Sequence, residues 1–343
     1  MPETPRPKVL LVESLYHQDG EALLAEYADV ETISGATDAE LARALGMAHA
    51  ALVRYPARLN KEVIREARNL LVISTSGRGT DAIDIAEATE QGIAVVNNPG
   101  LGRVPVSEHT LALILDLAKE VTRDDKRVRS GVGWEDRHES RRIELEGRTL
   151  GIIGLGSIGR EVARKCQAAF AMHVIAYDPY VAPAEAAPLG IELVAELDDL
   201  LAASAVVTCH AELTPETRGL IGAAQLRRMR PEAILVNTAR GPIVQPDALA
   251  EALRAGWIRG AALDVFAVEP PGPDNPLYAL DNLILTPHSA GLTDVARREL
   301  ALSAATQVIQ VLRGERPRAV INPIVWDEVR ERQRALLGGP PQG

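Results

Sequence analysis

The sequence predicts an α/β protein made of two doubly wound, parallel-sheet domains. Three observations carry that expectation. At 343 residues the chain exceeds one ordinary hydrophobic core. Short apolar runs alternate with helical patterns in two separate blocks. In the second block a glycine-rich turn joins a buried strand to a helix start.

In the first block, Lys8–Val12, Ala50–Val53, 70–74 and 93–96 read as strands. Residues 38–45, with Asp38 as the candidate cap, and 61–68 read as helices. Residues 106–129 follow as one helical pattern, apolar at Leu111, Leu115, Leu117 and Val121 and long enough to bridge two lobes. From Thr149 the alternation restarts, with strands at Thr149–Ile153, 174–177, Val206–Cys209, 233–237, 261–265 and 283–286. Asp294–Leu312 reads as a second long helix, ended by Gly314 and Pro317. The apolar segment 319–325 is expected to return to the first lobe. The expected organisation is a discontinuous lobe of residues 1–105 and 293–330, with a lobe of residues 106–292 inserted between its parts. Residues 331–343, Gly/Pro-rich from Leu336 on, are expected to be a disordered tail.

Bulk numbers narrow the function classes. Hydrophobic residues at 46% and charged residues at 24% are ordinary for a soluble globular chain. A net charge of −10 argues against nucleic acid as a partner, because binding phosphate backbones needs a basic surface. An anionic ligand would need a local basic pocket. Two cysteines, Cys166 and Cys209, cannot build a disulfide framework or a Cys-rich metal site, and free thiols suit a reducing cytoplasm. The N-terminus lacks an apolar signal core, and no run of ~20 apolar residues suggests a membrane span. His17, His49, His138 and His173 are scattered without ligand partners, so no metal site is expected.

The glycine turn is Gly154-Leu155-Gly156-Ser157-Ile158-Gly159. Gly154 permits a tight turn, Gly156 lets a pyrophosphate approach the backbone, and Gly159 lets the helix pack on the strand. The helix N-terminus then favours the phosphates. Asp178 lies 19 residues past Gly159 at the end of a second apolar strand, where a carboxylate accepts from ribose hydroxyls and repels a 2′-phosphate. Pro179 and Tyr180 follow it rather than an Arg, so NAD is expected over NADP. The second lobe thus reads as a Rossmann-like NAD-binding lobe and the first as a flavodoxin-like substrate lobe, with a cleft between them.

Three later segments end predicted strands, where doubly wound sheets carry their ligands. They hold Arg240, then Asp264 and Glu269, then His288. Together they suit hydride delivery to a 2-keto acid. His288 would protonate the carbonyl oxygen, and Glu269 would orient the ring and favour imidazolium. Arg240 would clamp the substrate carboxylate, and Asp264 would accept from the nicotinamide amide. Spacing alone leaves open a surface salt-bridge Arg, a solvated loop His and a turn Glu.

Several ordered motifs resemble the NAD-dependent D-isomer-specific 2-hydroxyacid dehydrogenases, especially the phosphoglycerate dehydrogenase branch. They are Gly77-Arg78-Gly79-Thr80-Asp81-Ala82-Ile83-Asp84, the glycine turn, Leu213-Thr214-Pro215-Glu216-Thr217-Arg218-Gly219, Asn237-Thr238-Ala239-Arg240-Gly241, Ala262-Leu263-Asp264-Val265-Phe266 with Glu269-Pro270, and Pro287-His288. The resemblance spans about residues 53–323. It implies Arg240, Glu269 and His288 as the catalytic set. It implies Ser157, Ile158, Asp178, His210, Ala211, Thr238, Ala239, Asp264 and Ser289 at cofactor contacts, beside Gly154, Gly156 and Gly159. The loop Ser76, Gly77, Arg78 and Gly79 would hold the substrate carboxylate through backbone amides, and Arg54 matches a basic position that meets substrate.

By the same resemblance the first substrate is 3-phosphoglycerate, with hydroxypyruvate or glyoxylate reduction as the alternative. An NAD(H)-sensing, corepressor-like interaction protein is a further one. A homodimer is implied through the region of Ser107, Glu108, His109 and Trp134, residues that read as packing or subunit contacts. The chain ends near residue 343, so no added regulatory domain and no allosteric inhibition by serine are expected. Departures cluster around the expected pocket: Thr75, Arg78, Gly102, Arg103, and Glu212 within His210-Ala211-Glu212-Leu213. Arg54, Arg78 and Arg103 together would suit a phosphate or a second carboxylate, or be three solvated charges.

Overall fold

Strands such as Ala-Ala-Leu-Val and Ile-Leu-Val-Asn show no polar alternation, so both of their faces must be covered. That requirement leads to parallel sheets flanked by helices. The computed structural model describes residues 6–139 and 141–338. The chain forms two compact units, Met1–Gly102 with Leu292–Gly343, and Arg103–Gly291.

The first unit holds β1 (Lys8–Val12), β2 (Asp29–Ile33), β3 (Ala50–Val53), β4 (Val72–Thr75) and β5 (Ala94–Val96). They form one parallel sheet in the order β2-β1-β3-β4-β5. This is the flavodoxin-like order, whose ligand edge lies at the C-terminal ends of the strands. Helix Asp294–Leu312 returns to this unit and packs on helix Gln18–Tyr27. Gly20 makes that approach possible, since a Cβ there would lie 2.7 Å from the Ala301 carbonyl oxygen. The segment after this helix pairs with β5 through an antiparallel Val96–Val320 bridge and the Ile321 amide donating to Val95. Asn322 locks the join: its Oδ1 accepts from the Val95 amide at 2.8 Å, and its Nδ2 donates to the Ile93 carbonyl at 2.9 Å.

The second unit holds β6 (Thr149–Ile153), β7 (His173–Tyr177), β8 (Ile191–Leu193), β9 (Val206–Cys209), β10 (Ile234–Asn237), β11 (Gly260–Leu263) and β12 (Leu283–Leu285). All are parallel, in the order β12-β11-β10-β9-β6-β7-β8. The direction of winding reverses between β6 and β9, which creates the crevice where doubly wound sheets bind ligands.

Four local readings are corrected. Strands β2 and β8 were not foreseen; both are edge strands with exposed residues, so they lack the apolar run that marks central strands. The single helix expected over 106–129 is two, Arg103–Lys119 and Val121–Arg129. The break is at Glu120, whose φ of 57° is left-handed, and the Asp116 side chain accepts from the Thr122 amide to start the second helix. Thr37, not Asp38, caps the helix Asp38–Met47, in a reciprocal capping box with Glu40. Of the tail expected to be disordered, residues 331–337 continue the helix Trp326–Leu337, with Gln333 buried; residues 339–343 lie outside the described residues. No described helix is long and apolar enough to cross a membrane.

Asn322→Ala leaves a buried amide and a buried carbonyl of the β5 region without partners. It should cost about 1–3 kcal/mol of stability, read as a lower urea midpoint with unchanged slope; an unchanged midpoint would contradict the clamp.

Candidate active site

The glycine turn sits at the C-terminal end of β6 and meets both tests of a dinucleotide cradle. Gly154 has φ +92°, and a Cβ there would lie 2.5 Å from the Ala211 amide nitrogen. At Gly159 it would lie 2.3 Å from the Gly154 carbonyl oxygen. At Gly156 it would meet nothing within 4 Å, so that side of the turn is open to a ligand. Ser157 and Ile158 open the helix Ser157–Phe170, which no side chain caps, and such a terminus favours an anion. The Asp178 carboxylate is built into the same turn, accepting from the Leu155 amide at 2.8 Å and the Tyr180 amide at 3.0 Å.

His210 and Ala211 leave β9 against Gly154. The His210 Nε2 lies 3.0 Å from the Thr208 hydroxyl, while its Nδ1 is buried without a partner among the described residues. Burial pushes this imidazole down to a pKa of about 3, so the ring is neutral at working pH. At the end of β10, the Thr238 hydroxyl lies 3.0 Å from that of Thr110.

Arg240 follows in the same turn. The Asn237 side chain ties the turn closed, its Oδ1 accepting from the Ala239 amide and its Nδ2 donating to the Arg240 carbonyl. Gly241 presses on the next strand's loop, since a Cβ there would lie 1.9 Å from the Phe266 carbonyl carbon. The loops carrying Arg240 and Glu269 therefore abut. Glu269 Oε1 accepts from the Phe266 amide at 2.7 Å, and Oε2 lies 2.7 Å from His288 Nδ1. Burial would raise the Glu269 carboxyl. The His288 hydrogen bond, the Phe266 amide and the charges of His288 and Arg240 outweigh it and hold the carboxyl below the usual range. The Glu269 side chain is 13% exposed and that of His288 42%, so the hydrogen-bonded pair opens outward through the imidazole. Asp264, only 1% exposed, anchors the His288 loop by accepting from the Ser289 and Ala290 amides.

In the first unit, the expected substrate residues lie at the C-terminal ends of β3 and β4. Arg54 Nε donates to the Ser14 carbonyl at 2.6 Å, and its guanidinium lies 5.3 Å from the Tyr16 ring centroid. The loop of Ser76, Gly77, Arg78 and Gly79 is held by its carbonyls. Asn97 Nδ2 donates to the Arg78 carbonyl, the Asn98 amide to that of Gly77, and Gln307 Nε2 to Asn98 Oδ1. Arg103 belongs to the second unit, where its guanidinium donates to Glu161 at 2.8 Å.

The structure thus brings Glu269 and His288 into direct contact, with Arg240 close enough to bias the carboxylate. Sequence reasoning missed Asn237, Gly241 and Thr286 as supports and read His109 as packing or a subunit contact. Within the chain, His109 Nε2 lies 3.1 Å from the Thr286 hydroxyl and 3.6 Å from Asp264. Position relative to strand ends was the available signal for Asn237, Gly241 and Thr286. For His109 there was none, because it arrives from a distant helix.

Residues 111–290 match the family model described as D-isomer specific 2-hydroxyacid dehydrogenase, NAD binding domain. A D-3-phosphoglycerate dehydrogenase of Archaeoglobus fulgidus is 42% identical over 92% of this chain, and the chain spans 59% of that relative's length. A glyoxylate reductase of Thermofilum pendens is 40% identical, over 92% of this chain and 95% of that protein. A solved structure from Thermus thermophilus superposes with a TM-score of 0.83 at 34% identity, covering 92% of this chain and 99% of the other.

The His210 ring yields a pH prediction. The unfolded ring binds a proton below ~6.5, whereas the folded ring stays neutral down to about 3. The unfolded state holds more protons across that window, so stability falls as pH drops through it. Urea midpoints should fall from neutral to mildly acid pH more steeply in the native protein than in His210→Asn; parallel curves would contradict a buried neutral ring.

Proposed function

Because this chain belongs to the D-isomer-specific 2-hydroxyacid dehydrogenase family, we propose that it is an NAD-dependent oxidoreductase of small D-2-hydroxy acids. The first proposed substrate is 3-phosphoglycerate. The observation that carries this reading is the 2.7 Å His288–Glu269 pair at a sheet edge whose neighbouring loop presents Arg240.

When bound, NADH supplies the hydride. The chain's own residues do the rest. Asp178 accepts from the adenosine ribose hydroxyls and disfavours a 2′-phosphate, which selects NAD over NADP. Arg240 holds the substrate carboxylate through its forked donors and polarises the adjacent carbonyl. As the carbonyl oxygen gains negative charge, His288 passes it the Nε2 proton. Glu269, ionised and engaged with Nδ1, stabilises the imidazolium before transfer and keeps the neutral ring oriented afterwards. In the oxidative direction His288 takes the hydroxyl proton by the same route. In the first unit, the amides of the loop at Gly77 and Gly79 would grip the carboxylate, and Arg54 would meet a distal phosphate.

The second reading is reduction of glyoxylate or hydroxypyruvate. It draws support from the Thermofilum pendens relative, matched over 95% of its length. It also draws support from Arg54, already occupied by the Ser14 carbonyl and the Tyr16 ring. We further propose a homodimer joined through the segment around Val121–Arg129. That helix buries none of its residues, and it and the segment after it leave Val121, Val128, Val132 and Trp134 exposed. A cytoplasmic setting fits the two buried free thiols, which burial raises to about 12.

NADH oxidation against hydroxypyruvate, glyoxylate and 3-phosphohydroxypyruvate should reveal turnover, and His288→Ala should lower kcat by at least ~10²-fold. Unchanged rates in that variant would remove the proposed proton donor. Arg54→Ala should weaken the phosphorylated acid by ~1.5–3 kcal/mol and leave glyoxylate nearly untouched; equal losses would reject the phosphate role.

A further inference from the structure

We infer that His109 is a positioning residue for His288, acting through the Thr286 hydroxyl and the buried carboxylate of Asp264. The inference rests on the reading of His288 as proton donor.

His288 sits in an unfavourable backbone conformation, with φ of 51°, in the left-handed region. Such a residue persists only where its surroundings over-determine it. Here the surroundings converge on one residue. The Asp264 carbonyl accepts from the His288 amide at 2.8 Å. Its Oδ1 accepts from the Thr286 hydroxyl at 2.6 Å and the Ser289 amide at 2.9 Å, and its Oδ2 from the Ala290 amide at 3.0 Å. Four donors from residues 286–290 therefore fasten the loop to Asp264, three on its almost wholly buried side chain and one on its backbone carbonyl.

The direction of each bond follows from the donor inventory. An ionised carboxylate only accepts, so Thr286 spends its single hydroxyl proton on Asp264. The 3.1 Å contact between Thr286 Oγ1 and His109 Nε2 must then be donated by His109. His109 thus carries its proton on Nε2 and completes a chain, His109 to Thr286 to Asp264. The same N–H lies 3.6 Å from Asp264 Oδ1 and adds positive potential beside that carboxylate. His109 stands on helix Arg103–Lys119, so this helix sets the rotamer of a loop hydroxyl far along the chain. Without that donor, the Thr286 hydroxyl is free to turn away, Asp264 Oδ1 loses its shortest bond, and the backbone under His288 relaxes. The Nδ1–Glu269 geometry loosens with it. A purely packing role would be met by any apolar side chain of similar size, whereas this role requires a donor.

The test compares His109→Leu, His109→Gln and Thr286→Val in steady-state kinetics with NADH and either hydroxypyruvate or glyoxylate, beside NADH binding by fluorescence titration. His109→Leu should lower kcat about tenfold, as small misplacements of catalytic groups do, with NADH affinity unchanged. His109→Gln, whose side-chain amide donates to the same hydroxyl, should recover most of the rate. Thr286→Val should reproduce the loss, and the double variant with His109→Leu should be no slower than Thr286→Val alone. Full kcat in His109→Leu, no recovery by Gln, or additive losses would each overturn the assignment. If His109→Leu does not fold, a wild-type kcat in Thr286→Val overturns it alone. A His288→Ala control separates the two levels: if it is inactive while His109→Leu is wild type, only the His109 role falls; if it is fully active, the proton-donor reading falls first.

Discussion

The candidate site of this protein depends on a side-chain contact between two loops that leave different strands. Glu269 belongs to the loop after β11 and His288 to the loop after β12, yet their side chains meet at 2.7 Å. That distance holds only if both loops are pinned from beneath. Gly241 lets the Arg240 turn press against Phe266, the Phe266 amide holds Glu269, and Asp264 gathers the His288 loop. The low dielectric of a half-buried site strengthens each of these bonds, and it makes any unpaired member costly.

Both units use the same construction at their C-terminal sheet edges. In the second, buried Asn237 and Asp264 close the turns that carry charged side chains. In the first, Asn97 and Asn98 donate to the carbonyls of Arg78 and Gly77, and Gln307 in turn donates to the Asn97 carbonyl and to Asn98 Oδ1. Such buried polar groups contribute little net stability unless every partner is present. Their value lies in choosing one loop conformation among several of similar energy.

Much of this was legible in the chain because the signals are local. The turn at Gly154 demands positive φ, and the run before it demands burial. Asp178, Arg240, Glu269 and His288 all stand within a few residues of a strand end, where an apolar run stops. Edge strands β2 and β8 were not legible, because their half-exposed residues give no periodic contrast. Nor was the break at Glu120, which depends on the Asp116 side chain competing for the backbone of the next turn.

The sequence by itself determined the two parallel sheets, the dinucleotide turn and the identities of the charged groups, since periodicity, glycine conformation and charge are properties of neighbouring residues. Tertiary structure alone decided which of those groups touch. His109 lies 177 residues from Thr286, and Asn322 lies 227 from Val95. No spacing along the chain encodes such distances; they exist because sheet order and helix packing bring remote backbone together and leave buried polar atoms that must find partners there.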